Sequence, residues 1–513
     1  GEVSGNTVNL GDGKSAMKSG YAINGTIYGG RNDSHPDKVS NNTLNVNTNA
    51  VAHNIKNFST INFNFNAYTN TSNPLLTLTD SNRTKIKSLD QLHVKNATVG
   101  GGTLIENAHG IDVDNPADVG RTADKTETII KKHTAGEITY RTYQFKEATT
   151  KDTDGTATWG GRSVIGNTTT KNEITLTGNH GAQSVYGGWT SGTGSTATGE
   201  NAKNHSIGNK ITFNGAATDT VNNMFGGVTV SPGGNATGNR AVLNSGKVTG
   251  SLTGGSVGAT GGSATGNFVD INGGTVQQST YGGSASGTGK AENNTVTLTN
   301  GTVDGDIFGG VASSGAATDN KVYIKGGSVT NVEVHGGFST NGNVTENKVF
   351  IEGGTKRDVF GGKTTNGNAT GNTVTVTGGT VRNIDGGYSA HGNATGNTVN
   401  LGDGKSDYAG QVTGIINGGS GTTYGNEYMR GNTLNVYDNA GAANINNFEK
   451  LNFHFNSYVN KAAAMLTLQN AGGTTIASLG DLSVDGEHAT KGTLIRATHD
   501  ISIGDGQNRR VKT

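Results

Sequence analysis

From about residue 159 to residue 437, one polar and two aliphatic positions return in a fixed phase: Asn, any residue, aliphatic, any residue, aliphatic, then a Gly-containing turn. The phrase starts at Asn172, Asn209, Asn239, Asn267, Asn294, Asn320, Asn347, Asn372, Asn397 and Asn432. The steps between them are 37, 30, 28, 27, 26, 27, 25, 25 and 35 residues. The Asn and the two aliphatics fall at i, i+2 and i+4, so they share one face of a β-strand, as with Asn347, Val349 and Ile351. A second phrase ending in Gly-Gly precedes each one: "VYGG" at Gly187, "IFGG" at Gly309, "VFGG" at Gly361. Two short strands per repeat, joined by Gly-, Asn-, Ser- and Thr-rich turns, predict an all-β chain without helices. A repeat of about 25–30 residues fits the coils of a parallel β-helix, a β-solenoid, each advancing about 4.8 Å.

An inward Asn at one place in every coil is expected to form a ladder. Each amide donates to one neighbour and accepts from the other, which satisfies a buried group that otherwise costs about 1–3 kcal/mol. The ladder predicted here comprises Asn172, Asn209, Asn239, Asn267, Asn294, Asn320, Asn347, Asn372 and Asn397. The alternative is that each Asn merely begins a turn.

Two other regions carry the same signals. Residues 1–58 hold two coils, with phrases at Asn6 and Asn42 and "IYGG" at Gly29 between them. Residues 59–110 alternate strongly ("INFNFNAY", "LLTLTD", "GTLI") and lack the Asn phrase, which predicts longer strands. That block returns at 441–513: Gly5–Ser15 is identical to Gly396–Ser406, and "NFSTINFNFNAY" at Asn57 becomes "NFEKLNFHFNSY" at Asn447. A large repeat of roughly 390 residues therefore encloses the small one. Residues 111–158 match nothing else, carry dense charge, and are expected to form an inserted excursion or small subdomain. The main coils span 159–440.

Composition narrows the class. Of 513 residues 85 are Gly, 4 are Pro and none is Cys, and 39 basic residues balance 39 acidic ones. Zero net charge and strict phasing argue against disorder, and against nucleic acid or an anionic membrane as the main partner. The lack of Cys removes disulfides and thiolate metal sites, and no apolar run reaches membrane-spanning length. The chain reads as a mature or excised piece of a longer protein.

The Gly-Asn-rich coils, with the "INFNF…LLTLT…GTLI" block at 61–105 and 451–495, resemble the passenger domains of bacterial autotransporters, the type V secretion family. The resemblance covers nearly all the chain except 111–158. It implies a single-stranded right-handed parallel β-helix, surface-exposed or released from a Gram-negative-type bacterium, and most often an adhesin.

Candidate chemistry is sparse. "LGDGKS" at Leu10 and Leu401 looks like the end of a phosphate loop, but Val8 and Val399 stand where the motif needs Gly, so a turn is expected. "DVD" at Asp112 and "DTD" at Asp152 are expected to be solvated turns, and the 12 His show no zinc spacing. The best catalytic cluster to be assembled is Asp358 and Asp385 with Arg357 and Arg382; outer-face charge is the commoner account of such residues. No catalytic residue, metal or cofactor is expected. The residue before Gly-Gly is aromatic in most coils, at Tyr28, Trp159, Tyr186, Phe225, Tyr281, Phe308 and Phe360, with Thr253, His335 and Asp385 as exceptions. Period two turns these outward when the preceding aliphatics point in. With Trp189, the residues Tyr186, Phe225, Tyr281, Phe308 and Phe360 then form a candidate binding stripe for sugar rings or another protein; the alternative is that neighbours cover it. His335 is expected as a surface member of that column.

The expected function is that of a rigid surface or secreted adhesin, without catalysis. It would bind host or bacterial surface glycans or proteins, or itself, through its side face, the 111–158 segment and a long turn at 190–208. A polysaccharide-acting β-helix enzyme and a self-assembling extracellular filament subunit are the alternatives.

Overall fold

The computed structural model describes residues 1–15, 22–192, 204–329, 333–422, 430–470, 472–486 and 491–504. Most of the turn at 190–208 lies outside them. The chain divides into two compact units, Gly1–Phe145 and Lys146–Thr513. That boundary falls inside the 111–158 segment, which the sequence pattern presents as one piece.

The second unit is a β-solenoid of stacked parallel strands. The Asn phrases build a 12-stranded parallel sheet from Glu173–Leu176 to Leu482–Asp485, and the Gly-Gly phrases build a 13-stranded sheet. Two-residue strands, five of them Ala-Thr, form a third sheet of nine at the corner between them. Like residues lie over like: Val296 pairs with Val322, Val322 with Val349, and Val349 with Val374. The inward aliphatics from Ile174 to Ile476 make one continuous buried cluster. Each such side chain contributes about 1.5–3 kcal/mol on burial.

The polar and glycine signals are two parts of one corner. Asn267 donates through Nδ2 to Asn294 Oδ1 at 2.9 Å and to the carbonyl of Ala236 at 2.9 Å. Its own Oδ1 accepts the backbone N–H (3.0 Å) and the side-chain amide (3.1 Å) of Asn239. The amide-to-amide bonds run from Asn172 to Asn432 without a break, at 2.7–3.2 Å. The second Gly of each Gly-Gly pair faces this ladder: a Cβ on Gly255, Gly310 or Gly337 would land on the amide of Asn267, Asn320 or Asn347. The first Gly packs against the next coil's carbonyl, as Gly309 does against Gly336 O. The residue before each ladder Asn takes a left-handed φ, supplied by Gly at 208, 238, 266, 371, 396 and 431 and by Lys171, Asn293, Asp319 and Glu346 at the others.

The first unit stacks fewer coils and then stops. Its parallel sheet orders Leu92–Lys95, Thr60–Asn64, Thr43–Val46 and Thr7–Leu10. In a second sheet the strand Gly100–Asn107 pairs in parallel with Leu76–Leu78 on one side and antiparallel with Glu137–Gln144 on the other. Thr126–Lys132 and Val119–Thr122 continue that antiparallel meander. "EITYRTYQ" alternates as its sequence predicts, with Ile138, Tyr140 and Thr142 buried. Tyr140 closes the core by packing on Phe65, ring centroids 4.9 Å apart.

Candidate functional site

The Gly-Gly strands carry the outward residues. Val185, Met224, Leu252, Ile307, Val334, Val359 and Ile384 precede the outer column and are fully buried inside the coil. The next residue therefore points out. Register stacks Trp159, Tyr186, Phe225, Thr253 and Tyr281 in order, followed by Phe308, His335, Phe360 and Asp385. A second outer column comes after each Gly-Gly pair and includes Arg162, Trp189, Phe338, Lys363 and Tyr388.

The first column's rings stack face to face. Tyr186 and Phe225 lie 5.1 Å apart, Tyr281 and Phe308 5.3 Å, Phe308 and His335 4.6 Å, and His335 and Phe360 5.1 Å, all within 7° of parallel. One coil per ring dictates this spacing. Stacking hides the ring faces and leaves edges outward, and Thr253, between Phe225 and Tyr281, interrupts it. The second column then leans over the first. Phe338 sits edge-on to Phe308 and His335, Tyr388 sits edge-on to Phe360, and the Lys363 ammonium lies 4.4 Å from the Phe360 centroid. Arg162 covers Trp159 (4.1 Å) and reaches Trp189 (5.1 Å). Tyr186, Trp189, Phe225, Tyr281 and Phe308 are therefore half-buried, and Trp159 and Phe360 are buried.

His335 departs from expectation: it stands in the column but is only 2% exposed, because Phe308, Phe360 and Phe338 enclose it. Burial pushes its pKa down. The neutral ring donates from Nε2 to Glu333 at 3.1 Å, and Nδ1 is left without a partner. That hydrogen bond, with Lys363 Nζ at 2.7 Å, holds the Glu333 carboxyl down to about 2.

The acid–base cluster expected from the sequence comes together only in part. Asp358 accepts from Arg382 at 2.7 Å, Arg357 at 3.2 Å and Asn383 at 2.8 Å, so its oxygens are occupied. Asp385 lies in the first column, whereas Asp358 pairs with Asn383 two residues earlier on the strand; Asp385 accepts from Ser420 Oγ and, at 2.9 Å, from Asn417. Burial pushes its carboxyl up to about 6. The residues that sequence reasoning passed over are Phe338, Lys363 and Tyr388. Their signal was the position after Gly-Gly, which carries the cover for the position before it.

The remaining motifs are structural. Asp12 Oδ1 accepts the backbone N–H groups of Lys14 (2.8 Å) and Ser15 (3.0 Å), and Asp403 accepts that of Lys405 (2.9 Å), so "LGDGKS" is a side-chain-stapled turn. Asp112 pairs with Arg83, Asp114 with Lys85 and Asp154 with Arg162. Among the described residues no group of three His, Cys, Asp or Glu is placed to hold a metal ion, and no helix is long and apolar enough to cross a membrane. No protein-family model, curated protein or solved structure matches the chain.

Proposed function

We propose that the protein is a non-catalytic adhesive scaffold: a rigid solenoid, of the kind found in autotransporter passengers, acting at a bacterial surface or outside the cell. The observation that carries this reading is the contrast between the two faces of one strand. Inward, the column reads Ile174, Ile211, Ala241, Val269, Val296, Val322; outward, one residue earlier, it reads Glu173, Lys210, Arg240, Phe268, Thr295, Lys321. Aliphatic identity is kept where packing needs it, and the outer face is free to vary in charge and shape. A scaffold used for recognition has this property. The occupied carboxylate of Asp358 supports a binding role over sugar cleavage, since Arg357, Arg382 and Asn383 take up both of its oxygens and leave Asp385 without a free second carboxylate beside it.

The test is binding without turnover. The purified chain, applied to glycan arrays and to bacterial and animal cells, is expected to bind a subset and leave every glycan intact. Release of shortened oligosaccharide, lost in Asp385→Asn, would favour the enzyme reading instead. Sedimentation as a concentration-independent monomer would count against a filament subunit.

A further inference from the structure

Unit 1 carries a side groove of about 770 Å³. Its charged lining is four cations, Lys56, Arg83, Lys85 and Lys87, against two acids, Asp37 and Asp114. The strand Thr84–Ser88 sets the cations' direction: Thr84 and Ile86 are buried, so Lys85 and Lys87 project outward. Arg83, Lys85 and Lys87 recur at every second residue, about 7 Å apart along an extended strand. Asp114 is engaged by Lys85 at 3.5 Å, and Arg83 is engaged by Asp112, which lies outside the lining. Lys56 and Lys87 make no ion pair among the described residues.

The second copy of this block shows what the fold itself requires. At an offset of 390 residues Asn54, Ile55, Phe58, Thr84 and Ile86 return as Asn444, Ile445, Phe448, Thr474 and Ile476. The charges do not return: Lys56, Arg83, Lys85 and Lys87 become Asn446, Gly473, Thr475 and Ala477. Thr84 pairs with Ile111, and Thr474 with Ile501, so the two frameworks match in register. The cations are thus an addition to a scaffold that forms without them.

We propose that this groove binds an acidic polysaccharide, a chain bearing carboxylate or sulfate groups at regular intervals. Cations in a row match the charge period of such a polymer, and the hydroxyls of Ser40 and Ser59 in the lining suit its hydroxyls. The one aromatic in the lining, Phe58, is buried, so the groove lacks the stacking platform that single-stranded nucleic acid uses. The exposed pairs to Asp112 and Asp114 are weak and easily exchanged for ligand anions. This inference rests on the adhesive reading for what surface carries the glycan, not for whether the groove binds it.

The experiment compares heparin and polygalacturonate with neutral dextran by calorimetry at about 50 and about 150 mM salt, where screening differs. Wild type is expected to bind both acidic polymers, more weakly at the higher salt, and to ignore dextran. The triple variant Lys56→Asn, Lys85→Thr, Lys87→Ala carries the second copy's own residues and is expected to lose about tenfold or more in affinity. The reverse graft Asn446→Lys, Thr475→Lys, Ala477→Lys is expected to raise affinity, which keeps the test decisive if the triple variant misfolds. Unchanged binding in both variants, or tighter binding of single-stranded DNA than of either polysaccharide, would overturn the proposal. Cell binding that survives the triple variant, with no polyanion binding by wild type, would sink this inference while sparing the adhesive reading.

Discussion

Leu104, Ile105 and Ile111 in unit 1 and Leu494, Ile495 and Ile501 in unit 2 are the same residues of the same block, yet the first three are fully buried and the second three only partly. For Leu104 and Ile105 the difference lies in the neighbour on the strand's far edge. In unit 1 Glu137–Gln144 pairs antiparallel along Gly100–Asn107, and Tyr140 closes over Phe65. In unit 2 the equivalent strand Thr493–Ala497 pairs with Ala464–Leu468 on one side, and no described strand pairs with its other edge. The block builds a coil by itself; its full burial is supplied by whatever lies against the last edge.

The ladders differ in the same sense. Unit 2 runs ten rungs from Asn172 to Asn432, whereas in unit 1 Asn42 accepts from Asn6 at 2.9 Å and itself donates only over 3.4–3.5 Å to Val3 and Asn57 carbonyls. Breaking a rung should therefore cost most in unit 2. Asn320→Ala strands the two donors that Asn294 directs at its Oδ1, while Asn347 Oδ1 keeps the backbone N–H of residue 320; the loss is about 2–6 kcal/mol, and Asn42→Ala should cost roughly half as much. Denaturant unfolding followed in each unit reads both values; equal losses would mean that rung number carries no weight.

A second pair isolates the edge. Ile105→Ala should cost about 2–5 kcal/mol, and Ile495→Ala no more than about half of that, since its side chain is already partly solvated. Matching losses in thermal unfolding would mean that the two edges are equally covered.

Titration should separate the units next. Burial raises the folded-state pKa of Asp385 from 3.8 to about 6, so the stability tied to its protonated form is complete below about pH 4 and is lost as pH rises through 6. A shift of that size corresponds to about 2–3 kcal/mol. In unit 1 Asp80 has the opposite sign: the backbone N–H of Asn82 and the Asn54 amide hold it low. Its contribution is present above pH 3.8 and is lost as pH falls through its lowered folded value. From about pH 7 to about pH 4.5 the Asp385 contribution should therefore stabilise unit 2 while the buried neutral His335 opposes it, so the reading is the difference between wild type and Asp385→Asn, which should grow as pH falls; an identical pH dependence in the two would leave Asp385 with no part in it.

The smallest effect should be the same in both units. Asn45 and Asn435 bridge half-buried amide rows on the outer face, donating to Asn9 and Asn400 and accepting from Asn62 and Asn452 at 2.7–2.8 Å. Alanine at either should cost about 0.5–1.5 kcal/mol, and equally, because solvent replaces what is lost. Unequal costs would show that the two frameworks differ in more than their covering.

Much of the solenoid was readable in the chain because its rules are local. Asn294, Val296 and Leu298 disclose an inward face by parity alone, and the Gly-Gly pairs mark where the backbone must pass beside an amide. The burial of His335 was not readable, since it depends on Phe338 from the same strand and on rings one coil away on either side. Nor was the groove: Lys56 and Lys87 lie on separate strands, and each looks like ordinary surface charge by itself. The boundary at Phe145 escaped for a related reason, because a strand such as Glu137–Gln144 alternates identically whether its partner runs parallel or antiparallel.

Hydrogen exchange, resolved to individual strands, bears most directly on the idea that coils specify themselves while burial comes from the cover. The ladder amides of Asn209 through Asn397 should be among the slowest in the chain, and Gly100–Asn107 should exchange far more slowly than Thr493–Ala497. Equal protection of those two strands, or rapid exchange along the ladder, would contradict it.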